Sequence, residues 1–191
     1  MILEARGILD TDKIKSLTER FRNVKGNGDI MELMCAASLA HHGLLGSVVE
    51  LKLWDVDLSP VPAQHLASLF SCVFDSGLRI NNVSGCDLVS LLSSLKCHGL
   101  YITRQSLGRE ETRALVRAME TGVTAVSLGG WEEVILDMET LAEYSGQGVC
   151  SWVTLYDDTA ARYRGELVTW ARSRNWRVDG LFSDGHFSVE R

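Results

Sequence analysis

The sequence predicts an α/β fold, a leucine-rich-repeat solenoid bent into a horseshoe arc with parallel strands on a concave face and helices on a convex one. Three observations predict it. Short alternating apolar pairs recur along the chain at Leu51/Leu53, Leu78/Ile80, Leu100/Ile102, Val126/Leu128 and Val153/Leu155. The second members lie 27, 22, 26 and 27 residues apart, inside the span of about 20–29 residues typical of such repeats. A stripe of helical periodicity follows each pair.

In a strand, residues two apart share a face, so each pair points into a core. Gly46 lies two residues before Val48, Gly77 precedes Leu78 and Gly99 precedes Leu100. These glycines predict tight corners where a helix returns to a strand. Leu66, Leu69, Phe70 and Val73 recur at i, i+3, i+4 and i+7, and Leu88, Leu91, Leu92 and Leu95 repeat that spacing. Thr112, Leu115, Val116 and Met119 follow it with a polar first member; Met138, Leu141 and Ala142, and Leu167, Trp170 and Ala171, are weaker copies. One apolar stripe means one buried face per helix. Pro62 suits a first helical turn, and Glu110 and Glu111 suit the positive end of a helix dipole. The unit of 22 residues predicts an abbreviated convex turn. A lone strand–turn–helix unit cannot bury its face, whereas stacked copies share one core.

The ends differ. Residues 1–45 carry no strand signal and predict a helical N-terminal cap, or the end of a preceding domain. "LDTDKIKSLTERF" reads as one helix, "GNGD" as a turn, and "IMELMCAASLAHHG" as a second helix stopping at Gly43. Residues 46–191 form the irregular array. They end in a strand near Trp176 to Val178 and a hairpin through Ser183–Gly185, which caps the open sheet edge.

Composition narrows function. The chain has 191 residues, 46% hydrophobic, with a net charge of −6. That charge gives no general attraction to nucleic acid or anionic membrane. No apolar run approaches the ~20 residues of a membrane span, and the N-terminus lacks a signal-peptide pattern. The five cysteines include no CxxC pair and read as ordinary thiols in a reducing compartment. No nucleotide loop, metalloprotease helix or nucleophile elbow occurs. Adjacent His41 and His42 point apart on a helix and do not share one metal; Cys97 and His98 likewise do not pair. Asp157 and Asp158 read as a polar turn.

"VVELKLWDVDL" fits the pattern LxxLxLxxNxL through Val48, Leu51, Leu53 and Leu58. With a helix in every unit, the array resembles the ribonuclease-inhibitor-like class of leucine-rich repeats. "LASLFSC", "LVSLLSSLKC" and "SLGREETRALVRAME" are similar to the repeat regions of NOD-like receptors, and the resemblance covers roughly residues 46–175. It implies a cytoplasmic, non-enzymatic, cofactor-free region for sensing or regulation in innate immunity. Its partner would be a protein or peptide on the concave face, or other domains of the same receptor. The pattern departs at the Asn/Cys position after each strand, here Val56, Val83, Gln105, Trp131 and Asp158. No side-chain ladder can run through Val or Trp, so the turns must satisfy their backbone groups otherwise.

In this register the solvent-facing positions include Glu50, Lys52, Trp54 and Asp55, then Arg79, Asn81 and Asn82, then Tyr101, Thr103 and Arg104. Ser127, Gly129 and Gly130 follow, then Trp152, Thr154, Tyr156 and Asp157. Trp, Tyr and Arg dominate interface energetics. The expected partner-binding set is Lys52, Trp54, Arg79, Asn81, Tyr101, Thr103, Arg104 and Tyr156. Two alternatives share this sequence: a free-standing adaptor using the same face, and a small α/β enzyme whose strand–helix alternation mimics repeats.

Overall fold

A computed structural model describes residues 24–25, 30–45, 48–130, 132–179 and 186–191. Its strands are β1 (Val24–Lys25), β2 (Val48–Trp54), β3 (Val73–Asn81), β4 (Gly99–Thr103), β5 (Ala125–Leu128), β6 (Trp152–Tyr156), β7 (Arg177–Asp179) and β8 (His186–Glu190). Its helices are α1 (Ile30–His41), α2 (Ala63–Ser71), α3 (Leu88–Ser93), α4 (Arg109–Thr121), α5 (Met138–Leu141) and α6 (Asp157–Ser173). One sheet holds all eight strands in the order β1-β2-β3-β4-β5-β6-β8-β7. β1 to β6 pair in parallel, and β8 runs antiparallel to both β6 and β7.

The apolar alternation sets the register. Leu53 pairs with Ile80, Ile80 with Ile102, Ile102 with Leu128 and Leu128 with Leu155. Phe187 of β8 extends the same row beside Leu155. These six residues are at most 3% exposed and share one core with the helix stripes, including Leu66, Leu92, Leu115 and Leu167. Each β2–β6 strand closes on a left-handed residue two positions beyond its row member: Asp55, Asn82, Arg104, Gly130 and Asp157. Asn, Asp and Gly tolerate that conformation, which makes Arg104 (φ 48°) the unexpected member.

Side chains from the next unit satisfy the turn backbones. Gln105 Oε1 accepts from the Val83 amide and its Nε2 donates to the Val83 carbonyl. The Val134 amide donates to Thr159 Oγ1, and the Leu136 amide donates to the Tyr163 hydroxyl. Elsewhere, backbone bridges join Asp57 to Ser84 and Ser106 to Ile135.

Several expectations change. A two-residue strand, β1, precedes α1 where the sequence shows no strand signal. The stretch read as a helix at residues 9–21, the GNGD turn and the tip of the C-terminal hairpin lie outside the described residues. The two strands of that hairpin, β7 and β8, do pair. Gly77 sits inside β3, beyond a register irregularity, rather than at a helix–strand corner. A Cβ there would lie 1.8 Å from the Gly99 carbonyl oxygen, so the strands can approach only at glycine. Pro62 occupies the cap position before α2 rather than its first turn. The abbreviated connection over the 22-residue unit is α3, six residues long, but among the described residues the shortest helix is α5, four residues long in a unit of 27. Among the described residues no helix is long and apolar enough to cross a membrane.

Candidate functional site

The sheet face opposite the helices carries the polar members of the alternation. Lys52, Arg79, Tyr101, Ser127, Thr154 and Ser188 stand in one register row. Side chains turn part of that face into a connected chain of contacts. Lys52 Nζ lies 3.2 Å from Glu50, and Arg79 Nε donates to Glu50 Oε1 at 2.6 Å. The Arg79 guanidinium sits 5.4 Å from the Tyr101 ring centroid, a cation–π distance. Tyr101 and Tyr156 lie 5.9 Å apart, and Tyr156 and His186 lie 5.6 Å apart. The chain of contacts therefore crosses from β2 to β8.

The Tyr101–Tyr156 contact skips a strand. It passes over the place where β5 has ended at Leu128 and two glycines follow. Gly130 has φ 140°, and a Cβ there would sit 2.5 Å from the Tyr101 hydroxyl. Tyr101 thus lies over the end of β5 and buries Gly130. Beside this row is a cleft of about 160 Å³ lined by Glu50, Gly77, Arg79 and Tyr101.

Electrostatics follow the contacts. Burial pushes the Glu50 carboxyl up, but hydrogen bonds from Arg79 and Lys52 outweigh it and hold the group below its usual value. Burial, with Tyr156 alongside, raises the Tyr101 phenol. Tyr101 therefore presents a neutral hydroxyl beside the Arg79 guanidinium.

Not every expected residue joins this group. Thr103 is 6% exposed, covered where its hydroxyl donates to the Glu132 carbonyl. Thr154 is 4% exposed, with Trp152 Nε1 donating to its hydroxyl along the same strand and that hydroxyl donating to Ser188 on β8. Gly129 and Gly130 are buried as well. Trp54 and Asn81 are accessible register partners at the far side of the sheet from Tyr156. Arg104 belongs to a second polar cluster at the strand ends, 3.2 Å from Asp55 and 2.8 Å from Glu132, with Asn82 donating to Asp55. His186 also joins this face, a position that strand alternation does not predict. Its place follows from β8 inserting beside β6, which the hairpin pattern alone does not give.

Other chemistry-bearing groups fall elsewhere. His65 of α2 stacks on His41 at 4.5 Å and lies 6.4 Å from His42. No group of His, Cys, Asp or Glu among the described residues has metal-holding geometry. The Cys97 thiol donates to the Gly99 carbonyl, while His98 Nδ1 lies 2.7 Å from Thr124 Oγ1, so the two do not pair. Burial pushes the Cys86 and Cys150 thiols up to about 11, which keeps them protonated near neutral pH.

The chain is thus α/β with a mostly parallel sheet, and its open face carries a linked row of Arg, Tyr and His. Comparison with known proteins finds no matching protein family, no matching curated protein and no matching solved structure.

Proposed function

We infer that the chain is a leucine-rich-repeat solenoid whose open sheet face binds a protein or peptide, as the sensing or regulatory region of a cytosolic NOD-like receptor. The observation that carries this reading is the contact chain Lys52–Glu50–Arg79–Tyr101–Tyr156–His186. Strands about 4.8 Å apart place these groups within roughly 20–25 Å, the reach of a short peptide. The ring faces and the guanidinium are half-open and their backbones are fixed by the sheet, so binding orders few new groups. The in-order parallel strands and the repeated left-handed closures support the solenoid.

The test uses a randomised displayed-peptide library selected on the parent chain, with the strongest binder measured by calorimetry. Arg79→Ala or Tyr156→Ala is expected to weaken that binder by at least ~2 kcal/mol, roughly thirtyfold. Tyr101→Ala serves as a third variant; its half-buried ring also covers Gly130, so its melting temperature is expected to drop. If all three bind normally while Arg113→Ala or Arg117→Ala on α4 abolishes binding, the open-face reading is wrong.

A further inference from the structure

A groove of about 860 Å³ opens on the helix side of the molecule, between α4, α5 and α6. Its apolar floor includes Met119, Leu141, Val153, Leu167 and Trp170. The groove exists because α5 stops after one turn, so no second helical turn covers the space beside α6. A volume of this size, mostly apolar with a few polar groups, is that of a small-molecule site.

Two features give the occupant its chemistry. Glu139 and Glu166 stand exposed at the rim of the groove, and neither carboxylate has a hydrogen bond or ion pair among the described residues. The basic residue of the lining, Arg174, is already engaged. Its guanidinium donates to the Tyr144 and Ala142 carbonyls at 2.8 and 2.7 Å and lies 5.2 Å from the Trp170 ring centroid. The charge that the protein leaves unpaired at the rim is therefore negative. The second feature is Gly165, inside the 17-residue helix α6 and lining the groove. A glycine in a helix interior is unfavourable relative to alanine. A Cβ at Gly165 would meet nothing within 4 Å, so no packing contact requires the glycine. Its effect is to keep the groove wall open.

We propose that this groove binds a small apolar, ring-bearing molecule carrying a protonated amine, with its rings on the Leu167–Trp170 floor and its ammonium between Glu139 and Glu166. The site lies on the helix side and is independent of the open-face reading.

Three matched fluorescent probes test it on the whole chain: an anthracenyl-methylamine, the corresponding alcohol and the corresponding carboxylate. The amine is expected to bind saturably at one site, and roughly fivefold more tightly than the alcohol, the scale of partly exposed ion pairs. The carboxylate should bind weakest. A Glu139→Gln/Glu166→Gln double variant should bring amine and alcohol to the same affinity. Gly165→Leu should abolish binding of all three while melting no lower than the parent, since the added side chain enters open space. Arg79→Ala, on the other face, should leave amine binding unchanged. No saturable binding of the amine, amine binding no tighter than the carboxylate, or amine binding unaltered in a folded Gly165→Leu chain each overturns the proposal.

Discussion

Two neighbouring units of nearly equal length use their chain in opposite ways. Between β4 and β5 lies α4, 13 residues with Thr112, Ala114, Leu115, Val116, Ala118 and Met119 buried. Between β5 and β6 lies α5, a single turn of four residues, followed by an irregular stretch to Cys150. The first unit closes its backbone internally by helical hydrogen bonds. The second borrows side chains from α6 and beyond. Trp170 Nε1 and Arg174 Nε both donate to the Tyr144 carbonyl, Trp176 Nε1 donates to the Gly146 carbonyl, and Arg191 donates to the Gly148 carbonyl. Tyr144 is fully buried, stacked on Trp170 at 5.9 Å and edge-on to Trp176. An aromatic cluster does there what a helix does next door. The difference teaches that unit spacing is set by the sheet, while the connection over it is free to be helix or pinned loop.

The largest test removes the centre of each device. Tyr144→Ala should cost about 3–5 kcal/mol, the range for a buried aromatic, because it opens a cavity under Trp170 and frees the Cys150 carbonyl. Leu115→Ala in α4 should cost about 2–5 kcal/mol by cavity formation alone. Urea unfolding measures both. A Tyr144→Ala chain within 1 kcal/mol of the parent would show that the loop is decoration on a core closed without it, and the comparison would fail.

A second test sharpens the same point through pH. Burial pushes the Tyr144 phenol up to about 12, against an ordinary value of 10.0. The folded state thus favours the neutral phenol, whose hydroxyl donates to the Cys150 carbonyl at 2.9 Å. The unfolded chain can ionise first, so this contribution is complete below pH 10 and is lost as pH rises towards 12. Tyr144→Phe should be about 1 kcal/mol less stable near neutral pH, from the lost hydrogen bond. It should also lose less stability than the parent between pH 10 and 12. Parallel alkaline profiles for the two chains would place Tyr144 in contact with solvent.

This contrast also marks what the sequence could tell. The row Leu53, Ile80, Ile102, Leu128 and Leu155 is legible because strand periodicity is local and each unit repeats it. The stripe of α4 is legible for the same reason at helical period. The end of α5 is not, because Met138, Leu141 and Ala142 match a helical stripe yet "YSGQG" follows. Gly146 adopts φ 78°, and a Cβ on Gly148 would sit 2.5 Å from the Glu120 Cα. That approach is made between units and leaves no periodic trace. The turn supports Gln105, Thr159 and Tyr163 are hidden likewise, since each serves a backbone 22–27 residues earlier. On the open face, alternation identifies Arg79, Tyr101 and Tyr156 as accessible. It could not reveal that Tyr101 crosses the glycines after β5 to meet Tyr156, nor that Thr103 and Thr154 are covered by their neighbours.

The smallest test compares two threonines, one per unit. Thr112 and Thr140 are both fully buried in the first turns of α4 and α5. Thr112 Oγ1 donates to the Leu107 carbonyl at 3.2 Å and accepts from the Asp137 amide at 3.3 Å, so it ties α4 to the cap of α5. Thr140 Oγ1 has no hydrogen-bond partner among the described residues. Valine matches threonine in shape and removes only the hydroxyl. At position 112 the change strands a part-buried amide and a carbonyl, and the expected cost is about 1–2 kcal/mol. At position 140 it removes a desolvated hydroxyl that nothing repays, so stability should hold or rise by up to about 1 kcal/mol. The α5 backbone is untouched, because its cap bond runs from the Thr140 amide to Asp137 Oδ1. Chemical unfolding of Thr112→Val and Thr140→Val side by side reads the difference. Equal losses would mean that the Thr140 hydroxyl has a partner after all, and that the pinned unit is as fully satisfied as the helical one.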